Sequence, residues 1–316
     1  MKKILANCLA YLLFFVFYIS NSYAISKNLF FESPVEGRYD LTLNNSGKTY
    51  PAWLEIHHSG TRTLVGQYVG QGGSARPISK INFINGTVSF SIPPQWDTAS
   101  SDLVFEAQFQ GDSLVGWLTM PDCKKFTLSG TRAPLLWRTT EPAWGEQIKL
   151  FDGTDLKGWH TNGTNQWVAE NGIMKSPASG SNIISDQLFN DFKLHIEFRY
   201  PAGSNSGVYL RGRYEIQIVD SKGKEASRDY LGALYGFIAP HEMLAKDAGE
   251  WQSYDVTLVG RLVTLAVNGK TVIFNQEIPG ITGGALDSRE GEPGPVMMQG
   301  DHGPIEFRKI LITPAK

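Results

Sequence analysis

Apolar and polar residues alternate with a period of two through most of this chain, and the pattern is clearest over residues 204–220. After a turn at residues 204–207, positions 208, 210, 214, 216 and 218 are apolar, whereas the positions between them carry Tyr, Arg, Arg, Glu and Gln. This alternation predicts β-structure with one face on a core. A hairpin turn at Gly212 and Arg213 is an alternative to one continuous strand. Glu215 and Gln217 share a face either way, but Arg211 joins them only in a continuous strand.

The polar face of this segment concentrates hydrogen-bonding groups. Two guanidiniums, a carboxylate, an amide and a phenol occur within nine residues, and together they supply both donors and acceptors. Such a set is typical of a surface that binds a polyhydroxylated ligand. The alternative is a solvent-facing surface, which more often mixes Lys, Thr and Ser. We therefore expect a ligand-binding face here.

The alternating pattern of residues 27–135 predicts a small all-β region of eight strands linked by hairpins. Turn sequences such as Asn85-Gly86 separate the alternating segments, and Asn-Gly is a strong hairpin signal. The predicted strands are 37–43, 52–58, 63–68, 80–84, 87–92, 103–110, 113–120 and 125–131. Sequential hairpins of this kind favour an up-and-down barrel or a β-sandwich. A small barrel could hold an apolar ligand or be packed solid, so we interpret the region as an accessory domain of unknown ligand.

The alternating pattern of residues 147–313 predicts a second all-β domain. Pro134, Pro142 and a short polar segment mark the boundary, and the shortness of this linker allows the two domains to pack together. The predicted strands are 166–170, 173–175, 192–199, 251–259, 262–267, 271–274, 296–299 and 305–312, besides the segment described above. Most have one polar face, as expected for two stacked antiparallel sheets.

The first 24 residues have the pattern of a cleaved signal peptide. Lys2 and Lys3 precede an apolar run, and Ala24 ends a small-x-small cleavage site. The apolar run is too short for a membrane span, so we expect a periplasmic or secreted protein. Cleavage would leave Cys123 as the single cysteine, which excludes an intrachain disulfide. The chain contains 29 basic and 31 acidic residues without a basic cluster, which argues against a nucleic-acid partner.

Several motifs in the second domain carry a resemblance to a known family. They include LFDGTDLKGW (150–159), NSGVYLRG (205–212), YEIQIVD (214–220), GALYG (232–236) and GPVMMQGDHGPIEFRKI (294–310). In order and spacing they resemble the 3-keto-disaccharide hydrolase domain family. The resemblance implies a concanavalin A-like jelly roll with sugar on its concave face. It also implies action on 3-keto-glycosides supplied by a partner oxidoreductase. It covers nearly all of the second domain and none of the first.

A 3-keto sugar can be cleaved by elimination followed by hydration. The ketone acidifies the hydrogen at C2, so a base can remove it while a donor protonates the leaving oxygen at C1. We expect Glu215 to be the first catalytic candidate and His302 the second. The expected substrate-binding residues either hydrogen-bond to the sugar hydroxyls or the enolate oxygen, or stack an aromatic ring on the sugar. They are Arg211, Gln217, Gln299, Tyr209, Tyr235 and Trp251.

Other functions stay open on the sequence alone. The domain could be a carbohydrate-binding module without activity. It could also hydrolyse unoxidised glycosides directly, but laminarinase-type enzymes use an E-x-D-x-x-E strand. Here Gln217 replaces the Asp, and Asp220 falls on the other face. We expect no cofactor. The acidic loop at residues 287–292 could bind calcium, although its spacing lacks the usual number of ligands.

Overall fold

The structure is a computed structural model that describes residues 33–94 and 98–316. The signal peptide expected at residues 1–24 lies outside this range. No helix among the described residues has the length and apolar character needed to cross a membrane. All regular elements in this part of the chain are β-strands, as the alternating pattern predicts.

The first region is a closed antiparallel barrel of eight strands, each paired with its neighbours in sequence and β1 paired with β8. The strands are β1 (Gly37–Asn45), β2 (Lys48–Ser59), β3 (Thr63–Val69), β4 (Arg76–Ile84), β5 (Thr87–Ile92), β6 (Leu103–Gln110), β7 (Ser113–Thr119) and β8 (Lys125–Arg132). Inward side chains such as Tyr39, Leu54 and Phe105 form one buried core. The rings of Phe90 and Phe105 stack within it at 4.5 Å. Of the two architectures expected from the sequence, a barrel and a sandwich, the structure shows the barrel. Of the two expected interiors, ligand-holding and solid, it shows one packed with side chains.

The second region is a sandwich of two antiparallel sheets. Its strands are β9 (Ile148–Lys149), β10 (Trp159–Thr161), β11 (Val168–Glu170), β12 (Ile173–Ser176), β13 (Ile183–Phe189), β14 (Phe192–Arg199), β15 (Asn205–Leu210), β16 (Tyr214–Val219), β17 (Gln252–Val259), β18 (Leu262–Val267), β19 (Lys270–Glu277), β20 (Gly294–Met298) and β21 (Ile305–Pro314). One sheet has five strands in the order β10-β13-β20-β15-β16. The other has eight strands: seven follow the order β11-β12-β21-β14-β17-β18-β19, and β9 pairs with β21. Apolar faces of both sheets contribute to one extended core.

The alternating pattern locates most strands of the sandwich, and β14 and β18 begin and end at the predicted residues. The pattern misses β13, in which Asp186 and Gln187 interrupt the apolar residues. Its pairing with β20 shifts register between Ile184 and Leu188. Such an irregularity breaks the strict period of two, so this strand carries no clean alternating signal.

Residues 204–220 form the hairpin β15–β16 and not one continuous strand. Arg211 and Gly212 occupy the turn with φ values of 52° and 67°. Arg213 N–H donates to the Leu210 carbonyl at 3.0 Å. Leu210 pairs with Tyr214, so residues 211–213 form a three-residue connection between the two strands. The connection therefore contains Gly212 and Arg213, as in the hairpin alternative considered from the sequence, and it begins one residue earlier, at Arg211.

The barrel packs directly on the sandwich. Trp53 lies on the outside of β2 yet is fully buried, because its ring meets Phe237 edge-on at 5.4 Å. A Cβ at Gly280 would lie 2.2 Å from Trp53 Nε1, so only glycine permits this approach. Val69 and Ala75, at either end of the β3–β4 loop, also belong to the sandwich core. The two regions thus share buried apolar surface.

A buried polar cluster extends this contact. Glu290 is fully buried and accepts hydrogen bonds from Tyr214 and Arg261, each at 2.7 Å. Arg261 also donates to the Pro134 carbonyl in the linker. Asp40, on the outer side of β1, faces Glu290 across the contact. Burial, and secondarily the charge of Glu290, raises the pKa of Asp40 to about 9.

The raised pKa of Asp40 predicts a pH-dependent free energy of unfolding. Below its ordinary pKa of 3.8, Asp40 is protonated in both states. As pH rises toward about 9, the unfolded chain loses this proton while the folded chain keeps it, so stability falls. Asp40→Asn stays neutral and should unfold about 3 °C or more above the parent at pH 8. The difference should shrink toward pH 4 in thermal unfolding curves, and a difference independent of pH would contradict this account.

Candidate functional site

A polar cavity of about 210 Å³ opens on the face of the five-stranded sheet that points away from the other sheet. The two sandwich strands β15 and β16 supply its floor, because Val208 and Ile216 point into the core while the alternate residues point into the cavity. The residues around it are Gln71, Gly72, Gly73, Asn182, Asn205, Tyr209, Glu215, Gln217, Tyr235, Gly283, Gly284, Gln299, Asp301 and His302.

Glu215 lies on the floor of the cavity, opposite Tyr209 in the hairpin register. Its Oε2 atom is 2.9 Å from the Tyr209 hydroxyl, which is also 2.9 Å from the Gly283 carbonyl oxygen. A Cβ at Gly207 would lie 2.3 Å from Glu215 Oε1, so the carboxyl occupies space that only a glycine leaves free. The carboxyl is buried, but its neighbours are polar and not aliphatic.

Burial raises the pKa of Glu215 to about 8. The hydrogen bond from Tyr209 and the charge of His302 oppose this shift, and the charge of Asp301 adds to it. Transfer of a carboxylate out of water disfavours its ionised form, which is the dominant effect here. A carboxyl that titrates near neutral pH can take or give a proton during a reaction.

Asp301 and His302 form a second titratable pair at the mouth of the cavity. His302 Nδ1 lies 2.6 Å from Asp301 Oδ1. This hydrogen bond raises the pKa of His302, and the charge of Glu215 acts in the same direction. The His302 side chain is half exposed, whereas Glu215 is only 3% exposed. One acid–base group is therefore deep and the other lies near solvent.

Three amide side chains carry oxygens that have no hydrogen-bond partner among the described residues. They are Asn205 Oδ1, Gln217 Oε1 and Gln299 Oε1, and all three belong to residues around the cavity. Gln217 and Gln299 are more than nine-tenths buried. Buried polar atoms are almost always satisfied, so these acceptors are available to donors that enter the cavity, such as water or the hydroxyl groups of a ligand.

Local backbone pairing fixes these side chains. Residues 232–235 run beside β16: Gly232 N–H donates to the Gln217 carbonyl, and Tyr235 N–H donates to the Glu215 carbonyl. This places Tyr235, which is partly buried, at the edge of the cavity. On the other side, Gln299 N–H donates to the Gly207 carbonyl at 2.9 Å. The GALYG segment and the end of β20 therefore set the width of the site.

Six of the eight expected site residues meet at this cavity, and two do not. Arg211 does not meet the other expected residues, because the hairpin turn directs its side chain elsewhere. The guanidinium is buried and donates to Tyr214 at 2.9 Å and to the Gly260 carbonyl at 3.1 Å. Arg211 thus stabilises the polar cluster around Glu290.

Trp251 also lies away from the cavity, contrary to expectation. Its ring lies beside the outer face of the eight-stranded sheet, where the Arg199 and Arg308 guanidiniums approach at 4.7 and 4.0 Å. These arginines form cross-strand ion pairs, Arg199 with Glu306 and Arg308 with Glu197. Trp251 is absent from the walls of the cavity. Its indole face is already covered by cations.

The sequence reasoning missed several residues of the cavity. Asn205 could have been found, since it shares the alternating face of Tyr209. Asp301 stands next to His302 and was overlooked as its partner. Asn182 precedes the strand that the pattern misses. The glycine-rich segment at residues 71–73 belongs to the barrel, and no local signal connects it with the sandwich.

The acidic side chains at residues 287–292 all pair with arginines. Asp287 Oδ1 accepts from Arg213 Nε at 2.8 Å, and Arg289 pairs with both Asp287 and Glu292. Glu290 is taken up by the buried cluster. Across residues 33–94 and 98–316, no three metal-ligating side chains of the His, Cys, Asp and Glu types converge.

Together, the two antiparallel sheets and the carboxyl, imidazole and amide groups on one of them define an all-β sandwich protein with a small polar cavity. The chain belongs to the family described as the 3-keto-alpha-glucoside-1,2-lyase-like domain, whose sequence profile matches residues 146–313. The match begins after the barrel and includes every cavity residue outside the β3–β4 loop.

Two kinds of relative accompany this family match. A 3-keto-disaccharide hydrolase of Bacteroides thetaiotaomicron is 29% identical over 113 residues, which cover 32% of this chain and 37% of that protein. The aligned part therefore spans little more than a third of the curated relative. A solved structure from Parabacteroides distasonis, provisionally assigned as a glycosyl hydrolase, is 27% identical with a TM-score of 0.46. It covers 56% of this chain and 92% of its own.

Removal of the Tyr209 hydroxyl should raise the pKa of Glu215 further. The hydrogen bond from this hydroxyl lowers that pKa, while the burial that raises it would remain in Tyr209→Phe. We expect the Glu215 titration to move above about 8, measured by ¹³C NMR of glutamate-labelled protein and assigned with Glu215→Gln. Tyr50→Phe, in the barrel, is the matched control. A lower midpoint in Tyr209→Phe would refute this assignment of causes.

Proposed function

We propose that this protein cleaves 3-keto-glycosides by elimination across C1 and C2 followed by hydration. The carrying observation is the pair of titratable groups, Glu215 and His302, on the deep and open sides of one polar cavity. The family description names a 1,2-lyase, and the Bacteroides relative is named a hydrolase of 3-keto-disaccharides. A two-stage reaction accommodates both names.

Glu215 is the proposed base. A ketone at C3 allows the electron pair of the C2–H bond to move into an enolate once the proton is removed. The raised pKa of Glu215 makes its ionised form a stronger base than an ordinary carboxylate. Its rigid position on a strand, braced by Gly207 and Tyr209, supports the precise placement that proton transfer from carbon requires.

His302 is the proposed acid. When the enolate collapses, the C1–O bond breaks, C1=C2 forms and the leaving oxygen needs a proton. Asp301 raises the pKa of His302, which keeps the imidazole protonated over a wider pH range. Its half-exposed position suits a leaving group that departs toward solvent. Water then adds across C1=C2, with hydroxyl to C1 and hydrogen to C2, which completes net hydrolysis.

The amides and the tyrosines complete the proposed site. Sugar hydroxyls would donate to the free oxygens of Asn205, Gln217 and Gln299, because each needs a donor once buried. Tyr209, with its hydroxyl beside Glu215, could relay a proton to or from that carboxyl. Tyr235 offers an aromatic wall. A separate oxidoreductase must form the 3-keto group, since this reaction consumes a ketone that it does not make. Export through the leader at residues 1–24 belongs to the same proposal.

Glu215→Gln tests the base directly. The amide keeps the shape of the side chain but cannot accept the C2 proton, so kcat should fall about 10²- to 10⁴-fold. Exchange of the C2 hydrogen of methyl 3-keto-α-glucoside in D₂O, followed by NMR, should disappear, while calorimetry should still detect binding. Undiminished exchange would exclude Glu215 as the base. A parent protein that binds this sugar without turnover would instead favour a carbohydrate-binding module.

His302→Ala tests the acid through the leaving group. With methyl 3-keto-α-glucoside, loss of the proton donor should slow turnover about 10²-fold or more. With a 4-nitrophenyl 3-keto-α-glucoside, the leaving oxygen needs little protonation, so most of this loss should vanish. Glu215→Gln is the matched control, because its defect should be equal for both leaving groups. Equal losses for both substrates in His302→Ala would contradict the assignment.

A further inference from the structure

We propose that the β3–β4 loop of the barrel, residues 70–75, is a wall of the sugar cavity that confines it to a single terminal sugar ring. In this arrangement Gln71 contacts the substrate and helps to determine specificity. The inference rests on the proposed function for the nature of the ligand. It assigns the barrel a direct part in substrate selection. The family match does not imply such a part, because it covers only residues 146–313.

The loop is held against the sandwich at both ends and in the middle. Val69 and Ala75 lie in the sandwich core. Between them, the Gln71 carbonyl accepts a hydrogen bond from Gly284 N–H at 3.0 Å. Fixed backbone of this kind positions a side chain better than a free loop does. The wall is therefore preformed.

The loop touches the residues that hold the proposed catalytic groups. A Cβ at Gly283 would lie 2.2 Å from the Gly73 carbonyl oxygen, and the Gly283 carbonyl lies 2.9 Å from the Tyr209 hydroxyl. On the adjacent side, a Cβ at Gly236 would lie 2.8 Å from Ser74 Cβ, and Gly236 follows the cavity residue Tyr235. Only glycines permit this approach of the barrel to the site.

The size of the cavity argues for one ring. Its volume of about 210 Å³ is below the range of about 300–1,000 Å³ that is usual for larger ligands. Gln71, Gly72 and Gly73 lie around it together with Glu215 and His302, and they block one side of what would otherwise be an open sheet face. Gln71 has an exposed side chain with both donor and acceptor groups, which suits hydroxyl recognition.

Two variants test the wall without disturbing the proposed catalytic groups. Gln71→Ala removes the contact. Gly72→Tyr adds bulk, and it should fold because a Cβ at Gly72 meets nothing within 4 Å and its φ lies outside the left-handed region. The matched controls are Gln110→Ala, at an exposed strand end, and Thr61→Tyr, in the β2–β3 turn at the opposite end of the barrel.

Binding should be measured by calorimetry with three probes: methyl 3-keto-α-glucoside, methyl α-glucoside and α-cyclodextrin, a glucose oligomer without chain ends. Titrations with the keto sugar use a Glu215→Gln background to prevent turnover. We expect one-ring glycosides to bind, with affinity about five- to tenfold weaker in Gln71→Ala. Gly72→Tyr should lose at least as much, and the controls should stay within about twofold of the parent. The cyclodextrin should not bind.

The outcomes distinguish failure of the proposed loop wall from failure of the proposed reaction. Normal binding of one-ring sugars in both loop variants, or tight binding of the cyclodextrin, would overturn the wall and leave the proposed reaction standing. Binding of methyl α-glucoside with the expected sensitivity, but neither binding nor turnover of the keto sugar, would overturn the 3-keto function and support the wall. Failure of the parent to bind any of the three probes would overturn both.

Discussion

The candidate site depends on the register of one hairpin. The turn at residues 211–213 pairs Tyr209 with Glu215, so a phenol and a carboxyl meet on the same face of the sheet. The same turn sends the Arg211 guanidinium to the opposite side, where it supports a buried polar cluster. A shift of either strand by one residue would exchange the core and cavity side chains of that strand. Fold and site are therefore set by the same backbone geometry.

The site separates two acid–base groups by their environment. Glu215 is withdrawn from water, which raises its pKa, whereas His302 stays partly solvated and is tuned by Asp301. Different surroundings give two titratable groups different roles, which is a general way to run acid and base steps together. The amide oxygens between them have no partner among the described residues and are available to accept hydrogen bonds from a hydroxylated ligand.

The barrel and the sandwich form one structural unit around this site. Trp53, Val69 and Ala75 complete the apolar core of the sandwich, and Asp40 faces the buried Glu290 cluster. Three glycines in the sandwich, at positions 236, 280 and 283, leave space for barrel atoms that a side chain would fill. The contact thus combines apolar burial, hydrogen bonding and close backbone packing. This supports a role for the barrel beyond that of a separate accessory module.

The sequence by itself determined most of the β-strands, including the eight of the barrel, and the face shared by Tyr209, Glu215 and Gln217. These follow from an alternation that is local, since successive side chains of a strand must point to opposite sides. It also indicated Gln299, Tyr235 and His302 through their motifs. Strand β13 escaped because its register shift breaks the alternation.

Only the tertiary structure decided which polar residues meet. It removed Arg211 and Trp251 from the site, and it added Asn182 and the Gln71 loop from distant parts of the chain. It also fixed the pKa of Glu215, because burial depends on everything that packs around the carboxyl. Contacts between residues far apart in sequence leave no periodic trace in the chain, so no local pattern could have revealed them.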